Sequence, residues 1–157
     1  MEIRACAGLP HAALAPLVAE SRAEGFAFLA RLVAEHDAGV ARFDGPGECL
    51  LGVYDGGALL AIGGVTRDPY DTEPRAGRLR HVYVRADARR RGVGRALVQA
   101  LEAHARTRFA TLALRTDTGA AARFYEALGW TPLPAGGTAT HRRVLAGRVP
   151  DGVAAPG

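Results

Sequence analysis

Three groups of residues in this chain have types and spacings suited to chemistry: the run Arg89-Arg90-Arg91-Gly92-Val93-Gly94-Arg95, a histidine at 81 and a tyrosine at 125. The basic run follows an apolar stretch, Leu79 to Val84, that reads as a strand, and precedes Val93, Leu97, Val98 and Leu101, which recur at helical spacing. The pattern therefore predicts a strand, a tight turn and a helix. Gly92 and Gly94 have no Cβ, so the turn can take unusual dihedrals and let a ligand approach its backbone. The first N–H groups of a helix have no partner within it, and the helix dipole places about half a positive charge there. That combination seats a phosphate or pyrophosphate. Arginines beside glycine also describe an ordinary solvated basic turn, so the assignment needs a second motif.

The second motif is Thr118 to Trp130, TGAAARFYEALGW. With the Arg-x-x-Gly-x-Gly spacing of Arg89, Gly92 and Gly94, it resembles the GNAT family of acyl-CoA-dependent N-acyltransferases. Ala121, Phe124, Tyr125, Gly129 and Trp130 match that family's pattern, while Thr118 stands where Asn is usual. The two motifs follow in the family's order, one helix and one strand apart, and a looser likeness runs from Leu50 to Trp130. The resemblance implies a mixed α/β fold: a central mixed sheet of six to seven strands, splayed at its middle, flanked by about four helices.

It also implies a chemistry, the transfer of an acetyl group from acetyl-CoA to a primary amine. In the family the motif's backbone amides hold the pyrophosphate, here at Arg89, Arg90, Arg91, Gly92, Val93, Gly94 and Arg95. The pantetheine arm pairs with the strand ahead of the turn, here Val82, Tyr83 and Val84. Thr118, Phe124 and Tyr125 complete the expected cofactor contacts, Phe124 by packing. Tyr125 matches a tyrosine that protonates the leaving thiolate in many relatives. For the base, His81 stands beside the expected thioester site, with His141 as second candidate. Glu24, Glu35, His36 and Asp68 lie in segments that can line an acceptor pocket. Neither Leu79 to Val84 nor Thr111 to Leu114 contains a carboxylate, which leaves a water as the alternative base. The acids Glu24, Glu35, Asp37, Asp68 and Asp71 would suit a cationic acceptor.

These residues need a scaffold, and the flanking patterns supply one. Glu2 to Cys6 alternates as a short strand. Pro10 suits a first helical turn, and Pro16 predicts a kink or a fresh start near Ala15. After Gly25, Phe28, Leu29, Leu32, Val33 and His36 mark a second short helix. Gly45-Pro46-Gly47 is a loop, Cys49 to Tyr54 a strand, and Asp55-Gly56 a turn into a strand from Ala58 to Val65. Arg67 to Gly77 reads as a loop, Thr111 to Arg115 as a strand parallel to Leu79 to Val84, and Thr138 to Leu145 as a closing strand. Thr116, Asp117 or Thr118 is expected to cap the helix that follows Arg115.

Composition bounds the alternatives. The 157 residues suit one domain, expected over 1–146, with 147–157, rich in Gly, Pro and Ala, as a frayed tail. All 20 basic residues are arginine, and the net charge of +4 favours anionic ligands such as coenzyme A without the basic and aromatic stripe of a nucleic-acid binder. Cys6 and Cys49 are too few for a disulfide scaffold or a zinc site, so reduced thiols and no metal are expected. The N-terminal residues make a poor signal peptide and no apolar run is long enough to span a bilayer, so a cytoplasmic protein without membrane contact is expected. Its partner is expected to be a small-molecule or peptide amine, with a homodimer possible. A non-catalytic acyl-CoA sensor is the alternative reading.

Overall fold

The structure is a computed structural model that describes residues 1–6 and 8–145; the expected tail and its boundary at 146 lie outside the described residues. Twelve elements follow in order: β1 (Glu2–Ala5), α1 (His11–Ala23), α2 (Phe28–Asp37), β2 (Cys49–Asp55), β3 (Ala58–Arg67), β4 (Ala76–Val84), a 3-10 turn (Ala86–Ala88), α3 (Val93–Ala105), β5 (Thr111–Leu114), α4 (Gly119–Ala127), β6 (Thr131–Pro132) and β7 (His141–Val144). The strands form one sheet in the order β1-β2-β3-β4-β5-β7-β6. Every neighbouring pair is antiparallel except β4 and β5, whose connection passes through α3. This is the expected mixed α/β fold of seven strands and four helices.

Two apolar clusters sandwich the sheet. On one side Val93, Leu97, Val98, Leu101 and Ala105 of α3 pack with Val53, Val65, Leu79 and Leu112 of the strands and with Tyr125 and Trp130. On the other, Leu14 and Leu17 of α1 and Leu29 and Leu32 of α2 cover Leu50, Leu59, Ile62 and Tyr83. Because both faces are covered, β3 is buried from Leu59 through Thr66 and reads as an unbroken apolar run rather than an alternation. Each fully buried leucine contributes about 1.5–3 kcal/mol, so the two clusters fix the register of the central strands.

Three expectations need adjustment. α1 runs through Pro16 as one helix instead of restarting near Ala15. Pro16 is exposed, so the Ala12 carbonyl deprived of its donor faces solvent, while Leu14, Leu17 and Ser21 keep the buried stripe intact. β3 and β4 extend to Arg67 and back to Ala76, which shortens the loop between them. The closing strand is only His141–Val144, and the two-residue β6, unseen in the sequence, pairs beside it. Cys6 and Cys49 are both free, and burial raises the Cys49 thiol to about 11. Among the described residues no helix is long and apolar enough to cross a membrane.

Candidate active site

β4 organises the site because its two halves have different neighbours. Its first half pairs with β5 at Ala76↔Thr111, Gly77↔Leu112 and Arg78↔Ala113, and there the parallel ladder stops. From Leu79 to Val84 the edge toward β5 is unpaired, leaving a wedge between the two strands. On its other edge β4 pairs with β3, but the register shifts: Tyr83 stands opposite Ile62 and Arg80 opposite Gly64, so His81 and Val82 together face Gly63. That is a β-bulge, a device that re-aims side chains next to active sites. His81 sits in it at φ 60, a left-handed conformation that costs a non-glycine residue about 1–3 kcal/mol.

The bulge directs His81 to the α1/α2 side, where its ring meets Phe43 edge-on at 6.1 Å between centroids. Only 9% of the residue is exposed, and Nε2 has no hydrogen-bond partner. Burial, reinforced by the charges of Arg80 and Arg31, pushes the imidazole down to about 4. It is therefore neutral at physiological pH, with Nε2 buried and without a hydrogen-bond partner among the described residues. Gly64 makes this arrangement possible, since a Cβ there would lie 2.6 Å from the Phe43 ring.

At its C-terminal end β4 leads into the turn. Arg90 has φ 63 and Gly92 φ 77, and α3 starts immediately afterwards at Val93. Ala96 is the first residue to donate into the helix, onto the Gly92 carbonyl at 3.0 Å. The amides of Val93, Gly94 and Arg95 precede it and have no helical acceptor. A Cβ at Gly92 would meet nothing within 4 Å, so the space over this turn is open. Gly94 differs: its Cβ would stand 3.2 Å from Val84 and 3.3 Å from Phe124, so this glycine lets α3 close onto β4 and α4. Arg90, Arg91 and Arg95 are exposed and make no ion pair among the described residues. Open space, orphan amides and exposed guanidinium groups fit a pyrophosphate.

Arg89 is placed differently from its neighbours. Its guanidinium donates to Glu24 at 2.8 and 3.0 Å and to the Val84 carbonyl at 2.9 Å, and lies 5.3 Å from the Tyr83 ring centroid. It ties the turn to α1 rather than projecting over it. The Tyr83 hydroxyl lies 2.6 Å from Glu20 and 2.8 Å from Glu24, and Glu20 also accepts the Ala86 N–H at 2.8 Å. Burial and the two carboxylates raise the Tyr83 phenol well above its ordinary value, while the Arg89 guanidinium holds Glu24 below its own. Tyr83 therefore faces α1, and Val84 has already committed its carbonyl to Arg89. Glu20 was not expected from the sequence, because nothing local marks a helix carboxylate as the partner of a turn 66 residues away.

Across the wedge, α4 is capped by Thr118, whose hydroxyl accepts the Ala121 N–H at 3.1 Å; of the three candidate caps, Thr116, Asp117 and Thr118, it is the last that serves. About two turns on, Tyr125 packs edge-on between Phe124 and Trp130, at 5.0 and 5.6 Å between ring centroids. It is 7% exposed, and burial raises its phenol far above the ordinary value. The hydroxyl is thus protonated at any ordinary pH, and no hydrogen bond to it is found among the described residues. A phenol in this state can donate to a sulfur that develops negative charge.

The remaining candidates are scattered. His141 is buried on the α4 side, with Nε2 2.9 Å from Glu126 and Nδ1 2.9 Å from Thr140, so both ring nitrogens are engaged away from His81. Asp68 faces Arg78 at 3.8 Å and accepts the Tyr70 N–H. Asp37 pairs with His11, and Asp71 accepts the Glu73 N–H. Glu24, Asp37, Asp68 and Asp71 are thus engaged within the chain, while Glu35 has no side-chain partner among the described residues. Arg78 pairs with Asp68 and Arg115 with Asp117, while Arg31 and Arg80, whose charges act on His81, have no ion pair among the described residues.

A family model described as acetyltransferase (GNAT) family matches residues 15–130. No curated protein matches the chain. Among solved structures, a protein of Exiguobacterium sp. 255-15 assigned as an acetyltransferase is 28% identical and superposes with a TM-score of 0.81, over 91% of this chain and 92% of that one. An aminoglycoside 6'-N-acetyltransferase complexed with coenzyme A is 19% identical, TM-score 0.69, over 96% of this chain and 100% of that one. A protein of Salmonella typhimurium assigned as an acetyltransferase, with its cofactor acetyl-CoA, is 17% identical, TM-score 0.70, over 98% and 99%.

Proposed function

Because this chain belongs to the acetyltransferase (GNAT) family, we propose that it moves an acetyl group from acetyl-CoA to a primary amine of a small molecule or peptide by direct attack. The observation that carries this reading is the unpaired edge of β4 from Leu79 to Val84, which leads through the short 3-10 turn at Ala86–Ala88 to an open, amide-lined helix start. Two structures of the same fold hold coenzyme A and acetyl-CoA respectively, which supports the same donor here.

Acetyl-CoA supplies the acyl group already activated as a thioester. The amides of Val93, Gly94 and Arg95, with the side chains of Arg90, Arg91 and Arg95, bind its pyrophosphate. The β4 edge at Val82 and Tyr83 offers backbone groups to the pantetheine arm and an N–H to polarise the thioester carbonyl. Phe124, between Gly94 and Tyr125, packs along the arm. The acceptor arrives from the α1/α2 side as an ammonium and gives up one proton, to His81 or to a water that His81 orients. An imidazole near 4 stays ready to accept but holds a proton weakly, so it suits passing the proton on to water. The freed lone pair forms the C–N bond, the C–S bond breaks, Tyr125 donates its proton to the departing sulfur, and the proton that the new amide nitrogen sheds returns through water to the tyrosinate.

The weak basicity of His81, with no carboxylate on this part of β4 or on β5, also favours a second reading, a sensor that binds acyl-CoA without turning it over. Calorimetric titration with acetyl-CoA, followed by thiol release over an amine panel, separates the two. One-to-one binding with turnover that falls about 100-fold in Tyr125→Phe, at unchanged acetyl-CoA affinity, is expected for the transferase. Binding without turnover on any amine identifies the sensor, and absence of binding removes both.

A further inference from the structure

Next to His81, on the α2 side of the sheet, lies a recess of about 310 Å³ between the loop that follows α2 and the β3/β4 hairpin. Phe43 is the wall it shares with the histidine. Two arginines line it on the Phe43 face, Arg42 and Arg80, and neither side chain has an ion pair or hydrogen bond among the described residues, whereas Arg67 borders it through its backbone, since the alternation that turns Thr66 toward Phe43 turns Arg67 to the other face of β3. Glu48 also lines the recess, but its oxygens accept the Gly45 and Arg67 backbone N–H groups at 3.1 and 2.8 Å. Asp44 is the other acid in the lining.

The recess is built rather than incidental. The β3/β4 register sets Arg80 opposite Gly64 and Thr66 opposite Arg78, so Thr66 and Arg80 share the face on which Phe43 sits. Thr66 is 6% exposed and its Oγ1 has no partner, although a buried hydroxyl costs about 1–3 kcal/mol when unsatisfied. Phe43 holds the loop in place at φ 57 with its ring over Gly64. A site with unpaired guanidinium groups and an orphan hydroxyl is chemically complete once an oxyanion enters, since arginine's planar donors match carboxylate and phosphate oxygens.

We propose that this recess is the anion subsite of the acceptor: the amine acetylated here carries a carboxylate or a phosphate, which rests on Arg42 and Arg80 while its amino group reaches His81. The proposal rests on the acetyl-transfer reading, and it inverts the cationic acceptor suggested by the acids in the sequence.

Two measurements test it. The first needs no turnover: with the nucleotide seat saturated by coenzyme A, inorganic phosphate should still bind saturably, against chloride at matched ionic strength. That binding should weaken about tenfold in Arg80→Gln and further in Arg42→Gln/Arg80→Gln. Phosphate binding that is absent, or unchanged in both variants, overturns the subsite. The second compares matched acceptors: an amino acid against its methyl ester, and an amino-sugar phosphate against the amino sugar. A preference of about tenfold or more in kcat/KM for the anionic member, expressed in KM and lost in Arg80→Gln, is expected. The pair that shows it identifies carboxylate or phosphate, and equal or reversed preference in both pairs overturns the proposal. Failure to bind acetyl-CoA would instead remove the transferase reading, and the phosphate titration, repeated without coenzyme A, would still report on the recess by itself.

Discussion

On the α3 side of β4, the groups offered to a ligand are backbone amides at a turn whose shape depends on Gly92. On the α2 side they are side chains, Arg42, Thr66, Arg80 and His81, gathered from separate segments by register and by one bulge. A backbone seat recognises what every member of a donor class has in common, because amides differ little from one residue to the next. A side-chain seat can be altered one position at a time without disturbing its neighbour across the strand. On the reading proposed above, donor recognition belongs to the turn and acceptor choice to the recess, with β4 as the shared wall.

The sharpest way to break this contrast is Gly92→Val. A β-branched residue at φ 77 carries strain of about 1–3 kcal/mol, and relieving it swings the amides of Val93 and Gly94 out of line. Acetyl-CoA affinity is expected to fall about 100-fold by calorimetry, with phosphate binding in the recess unchanged. A loss of less than threefold would mean that the turn is not the seat.

An intermediate effect is expected from acid. His81 titrates near 4 in the folded chain, against an ordinary value of 6.5, so between these values the unfolded chain binds more protons. Stability is therefore complete above about pH 6.5 and falls as pH drops toward 4, by about 3 kcal/mol from this group. Thermal melts across that range should show the decline, and His81→Gln should flatten it. Parallel curves for the two proteins would show that the α2 side does not hold the imidazole as tightly as its burial indicates.

The smallest change should come from the link between the sides. Glu24→Gln removes the charge partner of Arg89 but leaves its bond to the Val84 carbonyl, and the pair is partly exposed, so acetyl-CoA affinity should weaken only about two- to fivefold. A loss above about 50-fold would show that α1 and the turn act as one unit and that the two sides are not separable.

What the sequence disclosed follows the same division. The turn was legible because glycine spacing, the preceding apolar run and the helical stripe from Val93 are all local. The helix of Tyr125, with its Thr118 cap, was legible for the same reason. The bulge at His81 was not, although Gly63-Gly64 inside a buried strand was a signal that something approaches the sheet closely. Pro16 misled because its cost depends on which face it occupies, and that is fixed only once Leu14 and Leu17 are buried. The arginine recess needs the β3/β4 register and a loop held by Phe43, neither of which any window of sequence contains. The acids showed their charge in the sequence but not their partners, Arg89, Arg78 and His11, which come from distant segments.

That the cations of the recess are arginines bears on the chemistry next to them. A lysine so close to an acyl donor would itself be an amine at high effective concentration, able to intercept the group meant for the acceptor. Guanidinium stays protonated at any physiological pH and keeps no lone pair for the thioester. The subsite can thus supply positive charge beside a reactive acyl group without becoming a substrate for it.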